Sequence, residues 1–295
     1  MNARDLIRRV RRIEIATRRA VEDTLAGRYH SVFRGRGMAF SEVRAYAPGD
    51  EVRSIDWNVS ARMGHLFVKR FVEERELTVM LLCDLSGSSR FGSRQRTKAE
   101  VTAEIAALLA FSAVANGDRV GLLLFTDAVE RFVPPRKGRR HALRLVSEIL
   151  QFRPRSRGTD VGAALQFLRR AMRRRTVSFL LSDLLDHTGR FERALRVALG
   201  RHDVVPIRIL DRLEVELPAA GLAWIEDPET GETARIDLSD RRVRTAYAAA
   251  ARAEAERLRR LLARLEVDQV TVRADEPDHV RPLLAFFEAR ARRLG

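Results

Sequence analysis

A single cysteine in 295 residues, Cys83, excludes an intrachain disulfide, and six scattered histidines do not complete a cysteine-rich zinc site. Any metal must be held by oxygen. No apolar run approaches the roughly 18 residues of a membrane span. The basic start, MNARDLIRRVRRIEIATRRA, lacks both the continuous apolar stretch and the small-residue cleavage site of a secretory signal. A cytoplasmic protein is expected. Aromatic residues make up 6%, too few for the stacking platform that single-stranded nucleic acid favours. Lysine is scarce as well: Lys69, Lys98 and Lys137 are the only ones among 55 basic residues. So strong an arginine bias reflects host base composition as much as any ligand, which discounts the formal charge of +15 as a sign of nucleic-acid binding. A Gly-x-x-x-x-Gly-Lys-Ser/Thr loop, a Gly-x-Ser-x-Gly elbow and a His-Glu-x-x-His pair are also missing, so ordinary nucleotide, serine or zinc hydrolysis is disfavoured. His141 and His187 stand in polar stretches beside no convincing nucleophile, and Cys83 sits in an apolar run as a buried thiol does.

What charge there is gathers between residues 131 and 175, where fourteen basic side chains face only Glu148 and Asp160. Solvated helix faces explain such a run, and so does a docking surface for an acidic partner. Residues 1–26 predict an amphipathic helix through Leu6, Ile7, Val10, Ile13, Ile15 and Val21. From Gly27 to about Glu76, glycines at 27, 35, 37, 49 and 64 separate short alternating stretches, the mark of a small β-rich subdomain. The division is then 1–76, an N-terminal helix with a β-rich subdomain, and 77–295, the main domain.

The main domain alternates apolar strands with helices. Strands are predicted at Leu77 to Asp84, Arg119 to Thr126, Thr176 to Leu181, Val204 to Leu210 and Gln269 to Arg273, with a short edge strand at Val129 to Val133. Helices fall at Thr97 to Asn116, His141 to Phe152, Val161 to Met172, Ser239 to Leu265 and beyond Pro277. The fold class is α/β, a mostly parallel sheet with helices on both faces. A hairpin insertion near 221–238 turns at Asp227-Pro228-Glu229-Thr230-Gly231.

Ligands of such a sheet gather at the carboxyl ends of its strands, and three loops there carry oxygen. Asp84-Leu85-Ser86-Gly87-Ser88 places a carboxylate and two hydroxyls on alternate positions; Thr159 precedes a helix, and Asp183 follows a strand. Two carboxylates and three hydroxyls suit Mg²⁺, which takes six hard oxygens and leaves room for an outside carboxylate. N-caps and turn residues explain the same side chains without a metal. The edge is expected to be exposed, so that Asp84→Ala or Thr159→Ala leaves the fold largely intact.

This set resembles the metal-ion-dependent adhesion site of von Willebrand factor A domains, Asp-x-Ser-x-Ser with a distant Thr and a distant Asp, and all five positions match. The resemblance implies that Ser86, Ser88 and Thr159 coordinate Mg²⁺, or Mn²⁺ in its place, while Asp84 and Asp183 act largely through bound waters. A second motif lies upstream: Tyr46-Ala47-Pro48-Gly49-Asp50, Arg53, Ile55-Asp56-Trp57, Ser60-Ala61-Arg62 and Val68-Lys69. With the metal loop, over roughly residues 10 to 210, the chain resembles the bacterial family catalogued as domain of unknown function 58, and its compact members without amino-terminal membrane helices. Physically, Pro48-Gly49-Asp50 reads as a turn, Asp56 and Arg62 as an ion pair fixing the subdomain, and Trp57 as packed nearby.

The expected function is a non-enzymatic interaction module gripping an acidic residue of a partner through Mg²⁺. The family resemblance implies the partner: a MoxR-type AAA+ ATPase, with which such proteins act as chaperone-like systems on a client complex. Two other classes stay open. A Mg²⁺-dependent phosphoester hydrolase would need a base such as Asp160 or Asp186. Nucleic-acid binding through the arginines, disfavoured by the aromatic count, would be steeply salt-dependent yet indifferent to Mg²⁺ removal.

Overall fold

The computed structural model describes residues 8, 10–15, 17, 26–33, 38–73, 76–94, 96–186 and 188–294. Leu6, Ile7, Val21, Gly35, Gly37 and His187, all singled out above, lie outside the described residues. The chain forms two units, residues 33–77 and the remainder, 1–32 with 78–295. Residues 1–32 thus group with the larger unit, where the sequence had joined them to the β-rich part. The reason is packing: described residues between 8 and 17 are helical, and Val10 and Ile13 cluster with Ala107 and Val146 of the larger unit. Ile15 is exposed instead, because two residues along a helix turn a side chain about 200° from Ile13.

In the larger unit a six-stranded sheet runs through β3 (Thr78–Asp84), β4 (Arg119–Phe125), β5 (Val129–Arg136), β6 (Val177–Ser182), β7 (Asp203–Leu210) and β10 (Val270–Arg273), in spatial order 10-7-6-3-4-5. Every pairing is parallel except that of β5 with β4. Burial on both faces explains the near-continuous apolar runs of β3, β4, β6 and β7. The mostly parallel α/β sheet expected from the sequence is the one observed. β5 closes one edge and keeps Pro134 and Pro135 at a register shift, where a ladder tolerates missing N–H groups.

Helices cover both faces. Met80, Leu82, Leu123, Phe125 and Leu180 point to a layer built from α5 (Val161–Ala171), α6 (Phe191–Leu199) and α7 (Arg241–Arg264). The alternate residues of the same strands turn to the other face, which α3 (Lys98–Ala115) and α4 (Arg139–Gln151) cover as a packed pair. α3 starts on a capping box between Thr97 and Glu100. It ends at Gly117, in the left-handed region at φ 81°, with Asp118 N–H donating to Ala113 and Gly117 N–H to Val114, a Schellman stop. α6 was not anticipated from the sequence. Two further helices complete the unit: α1 (Ala26–Phe33), whose Tyr29 meets Phe287 edge-on, and α8 (Val280–Leu294). The anticipated hairpin is β8 (Leu222–Glu226) with β9 (Thr233–Asp237).

The smaller unit is an antiparallel hairpin, β1 (Met38–Ala45) with β2 (Phe67–Glu73), whose connection contains the short helix α2 (Trp57–Met63). Ala47-Pro48-Gly49-Asp50 is a type II turn: proline sets the first corner, Gly49 takes φ 107°, and Asp50 N–H reaches the Ala47 carbonyl at 3.1 Å.

Candidate metal centre

β3 lies mid-sheet; the chain leaves it on one side for β4 and later on the other for β6. The crevice beyond the carboxyl ends of β3 and β6 is therefore the switch point at which doubly wound sheets hold ligands. Asp84 ends β3 and Ser182 ends β6, so the two anticipated loops start side by side.

Asp84 accepts from the Ser86 N–H (3.0 Å) on one oxygen and from the Ser182 hydroxyl (2.6 Å) on the other. The Ser86 and Ser88 hydroxyls are 3.2 Å apart, and Ser88 donates to Asp183 at 2.6 Å. The loop carrying Thr159 is tied to this chain of contacts where Gly87 N–H donates to the Arg157 carbonyl (2.7 Å). Structure thus brings Asp84, Ser86, Ser88 and Asp183 into one hydrogen-bonded network, with Thr159 on the adjoining loop. All five are buried, not exposed as the sequence suggested. The hairpin supplies the cover: a Cβ on Gly87 would stand 1.9 Å from the Pro228 carbonyl oxygen, so the turn rests directly on the Asp84–Ser88 loop.

Three participants were not foreseen. Lys98, in the first turn of α3, is buried and donates to Asp183 (2.8 Å) and to Glu214 (2.5 Å). Glu229, at the hairpin tip, accepts from the Thr159 hydroxyl at 2.6 Å. Ser182 completes the Asp84 environment. The scarcity of lysine was the one available signal for Lys98; nothing local marks Glu229 or Ser182.

Burial, then the nearby charge of Asp183, pushes Asp84 up to about 7 against the hydrogen bonds of Ser182 and Ser86. Burial pushes Asp183 the same way, but Lys98 and the Ser88 and Leu185 donors outweigh it and hold Asp183 low. Burial would deprotonate Lys98, yet Asp183 and Glu214 keep its ammonium charged. Among the described residues no three His, Cys, Asp or Glu side chains converge as a metal group, so the donor set is two carboxylates with three hydroxyls. Hard oxygens around the buried Asp84 fit a small hard cation, and the Lys98 ammonium tempers that fit by neutralising Asp183.

Asp160 and Asp186, named above as bases for a hydrolase, hold local structure. Asp160 caps α5 at the Ala163 N–H and pairs with Arg190; Asp186 accepts from Val161 and Gly162 N–H and from Thr188. His141 contacts the Val120 carbonyl (2.9 Å), and burial pushes the Cys83 thiol up.

The upstream motif forms its own constellation in the smaller unit. Asp50 takes a two-pronged ion pair from Arg44 (2.6 and 2.9 Å) and the Ala47 N–H (2.8 Å). Tyr46 N–H donates to Leu66 O, and Arg53 is exposed in a single 3₁₀ turn. Asp56 is the N-cap of α2, accepting from Asn58 and Val59 N–H, a role the ion-pair reading missed because the helix itself was not anticipated. Arg62 is exposed in the last turn of α2. Trp57 is 63% exposed, not packed: it opens α2, a short helix that buries Ser60 alone.

An uncharacterized protein of Mycobacterium tuberculosis strain H37Rv, Rv1480, is 32% identical over 286 residues, 96% of this chain and 89% of its own length. A solved structure described as an aerotolerance-related membrane protein from Bacteroides fragilis is similar at 15% identity, covering 74% of this chain and 99% of that one with a TM-score of 0.49. The SpRpn10 VWA domain is similar at 13% identity, covering 71% and 93%, with a TM-score of 0.39. The family model for the protein of unknown function DUF58 matches residues 42–257, which take in most of the smaller unit, the Asp84, Thr159 and Asp183 loops and the hairpin. With most of its length under that model, the chain belongs to the DUF58 family.

Proposed function

We propose that the protein is a non-enzymatic interaction module that holds Mg²⁺ at the carboxyl edge of its sheet and uses it to engage an acidic group of a protein partner. The observation that carries this reading is the buried oxygen network of Asp84, Ser86, Ser88 and Asp183 at the switch point, with Thr159 beside it. Those five residues would hold Mg²⁺, or Mn²⁺ in its place, and the ion would supply a Lewis-acidic position for a carboxylate. The partner proposed from the family resemblance is a MoxR-type AAA+ ATPase acting on a client complex in the cytoplasm. Among the described residues no helix is long and apolar enough to cross a membrane.

Calorimetric titration of Mg²⁺ into the wild type, Asp84→Ala and Ser86→Ala tests the site, with circular dichroism to check that each is folded. Heat from the wild type alone is the expected result, and a silent wild type overturns the reading. A purified MoxR-type ATPase should then be retained on the immobilised protein with Mg²⁺ and released by a chelator.

A further inference from the structure

Beside the Asp84–Ser88 loop, the first turn of α3 and the last turn of α4 border a cleft of about 610 Å³. That volume falls within the roughly 300–1,000 Å³ of ordinary binding sites. Leu85 and Ser89 line it, and each is the chain neighbour of a proposed Mg²⁺ ligand, Asp84 and Ser88 respectively. Its wall is apolar, with Leu85 and Ile149 buried and Phe152 half-buried. Arg90, at the end of the 3₁₀ turn that follows the loop, and Arg153, just beyond α4, also line it, and both are exposed.

The charges at this cleft are unbalanced. Other arginines of the 131–175 run have acids to hand: Arg131 and Arg144 share Glu148, and Arg139 takes Glu14. Among the described residues no carboxylate pairs with Arg90 or Arg153. The one acid lining the cleft, Glu100, accepts the Thr97 N–H at 3.1 Å in the capping box of α3. An apolar wall with two unpaired guanidinium groups fits a ligand whose apolar side chain is flanked by carboxylates. We propose that the cleft docks an acidic segment of a protein partner, with an apolar side chain against Ile149 and Phe152 and carboxylates on Arg90 and Arg153. A protein segment is the occupant because the cleft continues, through Leu85 and Ser89, into the loop proposed above to engage a partner's acidic group. This inference rests on the partner-binding half of that reading and adds what the partner must carry.

The test is fluorescence anisotropy of a labelled glutamate–tyrosine copolymer, compared with polyglutamate, titrated with the protein in Mg²⁺ and in a chelator. The wild type should bind the copolymer about fivefold or more tightly than polyglutamate, because tyrosine finds the apolar wall. Arg90→Ala and Arg153→Ala should each weaken copolymer binding about tenfold. The charge-matched controls Arg173→Ala and Arg174→Ala change exposed arginines just before β6, at the opposite edge of the sheet, and should cost less than about twofold. Ala99→Phe fills the cleft without removing a charge and should erase the preference for the copolymer. Arg90 and Arg153 variants that lose no more than the controls, or a wild type without that preference, overturn this proposal, since the net charge of +15 then accounts for the binding. A wild type that binds the copolymer equally well in chelator overturns the metal half of the reading and leaves the cleft standing. A wild type that binds neither polymer overturns the cleft, while the metal half still stands or falls by the calorimetry above.

Discussion

Lys98 gives the buried Asp183 and the partly buried Glu214 the same ammonium, so its removal takes away the ion-pair partner of both. Lys98→Met should lower the unfolding free energy by about 3 kcal/mol at neutral pH, read from urea denaturation, because unpaired buried charges cost several kcal/mol. The same change should tighten Mg²⁺ binding, since the ion no longer competes with a resident cation. His202 offers a test by pH. It is buried, with Nδ1 2.9 Å from the Thr176 hydroxyl, and burial followed by the charge of Arg201 pushes it down to about 4 from 6.5. Between those values the unfolded chain binds a proton that the native state refuses. The stability from neutral His202 is therefore complete above pH 6.5 and lost as pH falls toward 4, amounting to about 2 kcal/mol between pH 7 and pH 5. His202→Gln should flatten that part of the profile of urea midpoints. At this scale the sequence exposed the five oxygen donors, because strand ends and alternate spacing mark them locally. Lys98 and Glu229 escaped because their partners lie 85 and 70 residues away, and only the folded chain joins them.

Elements with explicit start and stop chemistry were legible to within a residue or two. α3 carries Thr97 and Glu100 at one end and Gly117 at the other, and its predicted span of 97–116 brackets the observed Lys98–Ala115. Thr97→Ala should cost about 1 kcal/mol in urea unfolding by removing the acceptor of the Glu100 N–H. α6 is the counter-example: its nine residues follow Arg190, which makes no side-chain cap, so nothing announces the helix. α2 is shorter still, and its cap, Asp56, served equally well as one half of an imagined ion pair. The hairpin was visible from its Asp-Pro-Glu-Thr-Gly turn, but where that turn rests was not. Gly87 reads as one more loop glycine until a carbonyl from residue 228 is found against it.

Over the whole molecule, a ligand that binds only the folded chain stabilises it by mass action. Mg²⁺ at about a hundred times its dissociation constant should raise the unfolding free energy by about 2.7 kcal/mol, seen as a higher melting temperature that chelation reverses. Asp84→Ala should abolish the increment, and should melt lower even without metal because Ser182 and the Ser86 N–H lose their buried acceptor. Some of the arginines pair along helix surfaces at three- and four-residue spacing, Arg257 with Glu254, Arg259 and Arg260 with Glu256, and Arg196 with Glu192. Net charge alone could not separate such paired faces from a docking surface. The prolines of β5 act on this scale too. Pro134 and Pro135 withdraw two amide donors from the strand that borders the sheet, and the opposite border, β10, is only four residues long. Neither border is a good template for strand addition by another chain, so concentrated solutions of the protein should resist the edge-to-edge assembly that leads to fibrils.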